Sequence, residues 1–327
     1  MQLSRPRPFA IAGVLVALAA CSGSVTNVVS SPEDASDGHA KGNKGGNDGG
    51  NKGDTGAETR DTGSVTVDAT AKVDAVWPPS DADVGPLVYV RLAATQAPFG
   101  TTSPGAPQET PVDQHVGVLG LTLRTSAGAA PLVLTNNSQP IDAPCNAGST
   151  TLLGTIPASA LVAGHYTIAR VPVAYVKFTV AGTYHYDSMA IPGDFTDLIA
   201  LTAGFSFQGA VRDRGWWSSS FAVAGVTEGA VTGENAEIAQ PGPSSGISLD
   251  LSTATAEYVF PVSLDIPASI TTDTDVVFTI NTYQDFHWTD QSDPGYAPGV
   301  FDVEPGAFEP VTQLGANSFA ATIAPGQ

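Results

Sequence analysis

The sequence contains few charged residues, and few of those are basic. Of 327 residues, 14% are charged; 13 Lys and Arg face 32 Asp and Glu, for a formal net charge of −19. Soluble domains usually have about a quarter charged residues. A chain this acidic is repelled by phosphate backbones and by anionic lipid headgroups. The composition therefore argues against nucleic-acid binding and against membrane binding through basic patches.

Cysteine is also scarce, because the sequence has only Cys21 and Cys145. Cys21 lies at the end of a signal-like region, which leaves Cys145 as the one thiol of the main body. A single thiol cannot form an internal disulfide, so the fold must depend on its hydrophobic core. No histidine lies near Cys145 in the sequence, which predicts a free structural thiol rather than a nucleophile.

Several catalytic signatures are missing from the sequence. It contains no His-Glu-x-x-His zinc motif, no phosphate-binding Gly-x-x-x-x-Gly-Lys-Ser/Thr loop and no Cys-x-x-Cys pair. Each of these motifs supplies a defined set of metal, phosphate or redox groups. Their absence favours a non-catalytic role.

The N-terminus has the three parts of a bacterial export signal. Arg5 and Arg7 precede an apolar run, Phe9–Ala20, which is too short to span a bilayer as a helix. The run ends in Leu18-Ala19-Ala20-Cys21, which resembles the lipobox of bacterial lipoproteins. The resemblance implies that residues 1–20 are removed and that Cys21 carries a diacylglyceryl thioether and an acylated amino group. Ser22 in the next position implies sorting to the outer rather than the inner membrane.

Residues 21–85 form a Gly-, Asn- and Asp-rich segment with little apolar content, as in Gly42–Gly53. Such a segment buries too little surface to fold, so we expect a disordered tether. The body is predicted at 86–327, with a possible sub-boundary at 241–246. Within this body 6 basic residues face 21 acidic ones, and Lys177 is the only lysine.

The body shows a period-two alternation of apolar and polar residues, interrupted by Gly, Pro, Asn and Ser. The clearest runs are 119–123, 176–180, 203–207, 247–251, 258–266 and 276–280. This pattern predicts an all-β fold, an antiparallel β-sandwich of about ten short strands. Pro261 lacks a backbone donor and predicts an edge or a bulge. Single helical turns are predicted near 157–162 and 235–238.

One segment also resembles a known family. Residues 157–167 contain a leucine followed by Ala163-Gly164-His165-Tyr166. The segment is similar to one found in prealbumin-like β-sandwich domains of bacterial lipoproteins. The resemblance covers under a tenth of the chain and implies a sandwich, with no activity attached.

Two His/Asp pairs are the candidate metal ligands. Residues i and i+2 of a strand share a face, so His185 is expected beside Asp187, and Asp285 beside His287. If the two strands were neighbours, these four side chains could bind zinc or serve as acid–base groups. The alternative is that they are polar strand ends, each Asp bonding its own His.

Acidic loops offer a second cation candidate. Asp273 and Asp275 flank one threonine, and 290–295 contains two carboxylates and a turn. Calcium binds clustered carboxylates and carbonyls on loops of this kind. Ordinary turn chemistry explains the same residues equally well.

Three tryptophans are the candidate binding aromatics: Trp216, Trp217 and Trp288. Because adjacent strand residues point to opposite faces, Trp216 or Trp217 is expected to be exposed or in a loop. Exposed aromatics among acids and small polar residues suit sugar or protein binding, and packing is the alternative. The sequence thus predicts a lipid-anchored, surface- or periplasm-exposed binding or structural module with an envelope protein or glycan as partner. The alternative is a metal-dependent envelope hydrolase.

Overall fold

The computed structural model describes residues 85–98, 106–125, 130–305 and 307–326. The predicted signal peptide, Cys21 and the predicted tether up to residue 84 lie outside the described residues. The strands are β1 (Leu87–Thr95), β2 (Gln108–Glu109), β3 (Asp113–Arg124), β4 (Leu132–Pro144), β5 (Thr150–Pro157), β6 (Gly164–Tyr186), β7 (Met189–Ala200), β8 (Phe205–Phe207), β9 (Ala210–Arg212), β10 (Trp217–Val223), β11 (Val226–Gly233), β12 (Ser248–Asp250), β13 (Ala256–Ile266), β14 (Thr274–Asn281), β15 (Phe286–Trp288), β16 (Asp302–Glu304), β17 (Ala307–Phe308), β18 (Val311–Gln313) and β19 (Ser318–Pro325). Single turns of 3-10 helix lie at Ala158–Ala160 and Pro243–Ser245.

The long strand β6 organises a large sheet of ten strands. Along one edge of β6 lie β13 and then β7; along the other lie β3 and then β16. The remaining strands of this sheet are β4, β10, β11, β12 and β17. A small sheet has the order β19-β14-β1-β5. Among the described strand pairs, β1 with β14 and β6 with β16 are parallel, and the others are antiparallel.

The two sheets share one hydrophobic core. Val90 of β1 and Phe278 of β14 belong to the same buried cluster as Phe178 of β6 and Phe260 of β13. The ring of Phe260 stacks on Phe319 of β19 with centroids 3.9 Å apart. Burying each such side chain stabilises the fold by roughly 1.5–3 kcal/mol. Because core residues come from both sides of 241–246, that stretch does not separate two cores.

The predicted all-β sandwich is confirmed. Nineteen strands are present in the described residues rather than about ten, because eight of them are only two or three residues long and too short to show alternation. The β13–β6 register shifts directly after Pro261, which confirms the predicted bulge. The helical turn near 157–162 is present, but 235–238 is not helical. The N–H of Ala236 instead bonds the carbonyl of Gly215.

Two glycines within strands lie directly beneath aromatic rings of neighbouring strands. A Cβ on Gly117 would lie 2.3 Å from the ring of Tyr175, and one on Gly233 would lie 2.5 Å from the ring of Trp217. These rings therefore lie directly over the glycine backbone, where no side chain fits. In the part of the chain that the structure describes, no helix has the length and apolar character needed to cross a membrane.

Candidate functional site

His185, near the end of β6, pairs with Asp302 of β16 rather than with Asp187. Its Nε2 donates to Oδ1 of Asp302 at 2.6 Å, and its ring packs on Tyr296 with centroids 4.8 Å apart. β6 ends at Tyr186, so Asp187 lies in the following turn with a φ of 53°. The predicted His185–Asp187 pair is wrong because the strand alternation stops before Asp187.

Asp302 and Glu309 use their carboxylates on the backbone around them. Glu309 accepts the N–H groups of Gln291 at 2.7 Å and of Asp302 at 3.0 Å. Asp302 also accepts the N–H of Ala297 at 3.1 Å. Burial raises the pKa of Glu309, and the charge of the Asp302 carboxylate raises it further. We call His185, Asp302 and Glu309 the buried cluster; its contacts hold the segment between β15 and β17 in place.

The acidic loops that were candidates for calcium bind protein donors. Asp290 accepts the indole N–H of Trp288 at 3.1 Å. Asp273 accepts the backbone N–H of β1 at its first residue, at 2.9 Å, and Asp275 pairs with Arg91 at 2.7 Å. Across the described residues, no group of three or more His, Cys, Asp or Glu side chains could hold a metal ion. The predicted calcium loops therefore do not assemble a ligand group.

Asp285 and His287 also bind other groups. Asp285 precedes β15, and its Oδ2 accepts from the amide of Gln114 at 3.2 Å. His287 donates from Nε2 to the carbonyl of Gln284 at 3.0 Å. Burial raises the pKa of Asp285 well above its usual range and lowers that of His287. His185, Asp187, Asp285 and His287 are not part of one metal-binding group among the described residues, so the condition for a shared zinc site is not met.

The three candidate tryptophans are buried. Trp216, Trp217 and Trp288 are exposed by only 3%, 6% and 2%. The β8–β9 hairpin folds over the large sheet and stacks Phe207 on Trp216 with centroids 5.8 Å apart. Trp217 lies over Gly233, as described above. Trp216 precedes β10 and so lies in a loop, which was one of the two outcomes expected for the pair. The burial of all three side chains contradicts an exposed binding surface and agrees with the packing alternative.

Cys145 is a buried free thiol, as the sequence predicted. Its Sγ donates to the carbonyl of Ala143 at 3.4 Å. Burial raises the pKa of the thiol, and the negative charges of Asp285 and Asp142 raise it further. A thiol held protonated in this way is a poor nucleophile.

The chain contains one literal Gly-x-Ser-x-Gly match, at Gly242–Gly246. In hydrolases this motif forms a sharp turn between a strand and a helix, which exposes the serine. Here the segment contains the 3-10 turn Pro243–Ser245 and leads into the short strand β12. The match therefore lacks the structural context that gives the motif its chemistry.

The structure brings together a polar cluster that the sequence reading missed. We call Asp113, His115, Asp142, Tyr175 and Lys177 the outer cluster. His115 directs Nδ1 to Asp142 at 2.9 Å and Nε2 to Asp113 at 3.1 Å. Tyr175 donates its hydroxyl to Asp142 at 2.7 Å, and Lys177 pairs with Asp113 at 3.2 Å. Three neighbouring strands, β4, β3 and β6, thus present one chain of hydrogen-bonded side chains.

The outer cluster faces solvent. Val176 and Phe178 of β6 are buried in the core, so the alternating residues Tyr175 and Lys177 lie on the opposite face. The exposed fractions of the histidine, lysine and aspartate side chains run from 20% for His115 to 55% for Asp142. These values leave the cluster within reach of a ligand.

Electrostatics keep the outer cluster charged and ordered. Burial alone would raise the pKa of Asp113. The hydrogen bond from Asn146, together with the interactions of His115 and Lys177, outweighs that effect and lowers it. Burial and the contact with the Asp142 carboxylate raise the pKa of Tyr175, so its hydroxyl stays a donor at neutral pH. The cluster therefore offers a fixed set of donors and acceptors.

The sequence held only a partial signal for this site. Asp113 and His115 alternate along β3, and Tyr175 and Lys177 alternate along β6. The register that sets His115 opposite Lys177 joins positions 62 residues apart, which no local pattern reveals.

Comparison with family models, with curated proteins and with solved structures found no match to this chain.

Proposed function

We propose that this chain is a lipid-anchored, non-catalytic β-sandwich module that binds a component of the bacterial envelope. The anchor is inferred from the lipobox-like residues Leu18–Cys21. Several acyl chains on one cysteine give stable attachment where a single chain is reversible. The strongly acidic body has no basic patch in its sequence to bind the membrane by charge, so the lipid would be the means of attachment.

The observation that carries the binding role is the outer cluster. Its five side chains come from three strands, lie at the surface and are already joined by hydrogen bonds of 2.7–3.2 Å. A preorganised surface loses little side-chain freedom when it binds, which favours affinity. Both ring nitrogens of His115 face carboxylates, so neither is left to take a proton from a substrate. The geometry therefore favours binding over acid–base catalysis.

The anchor is tested by comparing the two cysteines. We expect the wild-type chain to incorporate labelled palmitate and to sediment with membranes. Cys21→Ser should lose the label and stay uncleaved, because the acceptor thiol is gone. Cys145→Ser is the matched control and should behave as wild type. Unchanged labelling in Cys21→Ser, or an unlabelled wild type, would contradict the proposed lipid anchor on Cys21.

A further inference from the structure

The outer cluster is nearly neutral on a strongly acidic body. The body has 21 acidic residues against 6 basic ones. In the outer cluster two carboxylates, on Asp113 and Asp142, face the amine of Lys177 and the imidazole of His115. Its net charge is therefore minus one or zero, according to the state of the imidazole. The acidic body as a whole repels an anionic ligand, and the outer cluster has no excess of positive charge to offset this. This surface is therefore suited to an uncharged ligand that it recognises by hydrogen bonding.

Hydroxyl groups continue the polar strip beyond the outer cluster. On the same face, Thr179 of β6 and Thr196 of β7 share a hydrogen bond of 2.9 Å between their Oγ1 atoms. The strip thus crosses four adjacent strands, β4, β3, β6 and β7, which is roughly 14 Å at about 4.8 Å per strand. This length fits a linear chain of a few sugar units. Carboxylates, hydroxyls and an amine in one row match the alternating donors and acceptors of a polyhydroxylated ligand.

The strip includes an aromatic side chain, Tyr175 of β6. Tyr175 is partly exposed, rests on the backbone of Gly117 and meets the ring of Phe207 edge-on at 5.5 Å. Phe207 in turn stacks on Trp216, whose ring is covered by the guanidinium of Arg212 at 4.6 Å. The tyrosine is thus held rigidly from below and from one side. A rigid aromatic with a polar tip combines apolar contact with hydrogen bonding, as sugar binding requires.

We propose that the outer cluster binds an uncharged polysaccharide laid across β4, β3, β6 and β7. Tyr175 contacts the apolar face of a sugar ring, and Asp142, His115 and Lys177 bind its hydroxyls. The inference deepens the proposed binding role and rests on it, but it does not depend on the lipid. A protein partner fits less well, because protein interfaces have an apolar centre, whereas this surface has a polar one.

The test is affinity electrophoresis of the lipidated chain, extracted in detergent, through native gels that contain one polysaccharide each. Hydroxyethyl cellulose, glycol chitin and galactomannan serve as neutral probes, and polygalacturonate serves as an anionic one. We expect at least one neutral polysaccharide to retard the protein and polygalacturonate to leave its migration unchanged. Retardation by none of the three neutral probes, or by polygalacturonate alone, overturns the proposal.

Variants locate the binding. Tyr175→Ala and Asp142→Asn should each weaken retardation about tenfold or more, which corresponds to the loss of one good contact of about 1.4 kcal/mol. Lys177→Met, at a partly exposed position, gives a second measurement if Tyr175→Ala fails to fold. The matched control is Asp265→Asn, which removes the carboxylate paired with His165 at 2.8 Å elsewhere on the same sheet. Equal retardation of all four variants would place any binding outside the outer cluster.

The test of polysaccharide binding is independent of the test of the lipid anchor. Palmitate labelling tests Cys21, and gel retardation tests the outer cluster, so either can fail alone. Crosslinking in intact envelopes adds a third outcome. If Tyr175→Ala abolishes a crosslink to a protein while polysaccharide retardation stays unchanged, the ligand class is wrong and the binding role stands.

Discussion

The outer cluster and the buried cluster use the same chemical groups in different ways. Each holds a histidine against a carboxylate of a neighbouring strand, His185 against Asp302 and His115 against Asp142. In the buried cluster the Asp302 side chain is 1% exposed and accepts backbone N–H, whereas in the outer cluster Asp142 is 55% exposed and binds only side chains. Burial raises the pKa of Glu309, while pairing lowers that of Asp113. Carboxylates that hold backbone belong to the fold; those ordered by surface side chains remain available to a ligand.

The largest effect should come from breaking the buried cluster. Asp302→Ala leaves the imidazole of His185 and the N–H of Ala297 without their acceptor, so we expect the free energy of unfolding to fall by about 3–5 kcal/mol. Urea denaturation followed by tryptophan fluorescence measures it. Asp142→Ala, the counterpart in the outer cluster, should cost about 1 kcal/mol or less. Equal losses in the two variants would erase the distinction between the clusters.

The next largest effect should come from disrupting the contact between the ring of Tyr175 and Gly117. Gly117→Ala puts a Cβ 2.3 Å from the ring of Tyr175, so the ring must shift and its hydrogen bond to Asp142 is disturbed. We expect a loss of about 1–3 kcal/mol in unfolding free energy, as for other overpacked sites, together with weaker polysaccharide retardation. Gly229→Ala is the matched control, because a Cβ there meets nothing within 4 Å. A Gly117→Ala chain as stable as this control would contradict the close approach of the ring.

Glu109 has a partly buried carboxyl group that should make the stability of the fold depend on pH. Its carboxylate accepts the N–H of Ala181 on the edge of β6, and burial raises its pKa from 4.5 to about 7. Because the folded-state pKa lies above the unfolded one, the folded chain binds more protons. The stabilisation is therefore present below about pH 4.5 and is lost as the pH rises through about 7. Buried carboxyls thus make the fold more stable in mild acid.

Glu109→Gln keeps an acceptor for Ala181 and removes the charge. We expect the variant to gain roughly 1–2 kcal/mol over wild type at pH 8, less than the full pKa shift implies because the side chain is partly exposed. Near pH 4.5 the two proteins should be equally stable. His287, whose lowered pKa acts in the opposite direction, is present in both and cancels. Urea denaturation at the two pH values checks this, and a difference independent of pH would refute it.

The smallest effect belongs to an exposed pair outside both clusters. His165 and Asp265 lie 2.8 Å apart, with exposed fractions of 51% and 83%. Asp265→Asn should change the unfolding free energy by about 0.5 kcal/mol or less, because exposed ion pairs are screened by water. A thermal melt within about 2 °C of wild type agrees with this. A larger shift would show that exposure is a poor guide to the role of a His/Asp pair here.

The strands could be predicted from the sequence because their alternation is a local property. Val176, Phe178 and Val180 follow period two and are buried as expected. The bulge at Pro261 was also predictable, because proline lacks the donor that the ladder needs. The length of a strand and its neighbours in the sheet could not be predicted in this way. For example, β6 runs for 23 residues and pairs with four other strands, and local alternation specifies neither property.

The candidate sites failed where they assumed contacts within one segment. His185 finds its partner Asp302 at a separation of 117 residues, and Lys177 finds Asp113 at 64. The i and i+2 spacing within one strand cannot predict contacts between residues so far apart in the sequence. The tryptophans were misjudged for a related reason. Trp216 lies in a loop before β10, but Phe207 of the β8–β9 hairpin packs on it, so the loop position does not make it exposed.

The most direct measurement is the set of amide chemical-shift changes when hexamers of glucose, of N-acetylglucosamine and of mannose are added in turn to the isotope-labelled chain. We predict changes confined to the strands of the outer cluster, at 113–117, 142 and 175–179, with none in 290–309. Changes centred on 290–309, or none with any of the three hexamers, would contradict the claim that the outer cluster is the binding surface and the buried cluster is structural.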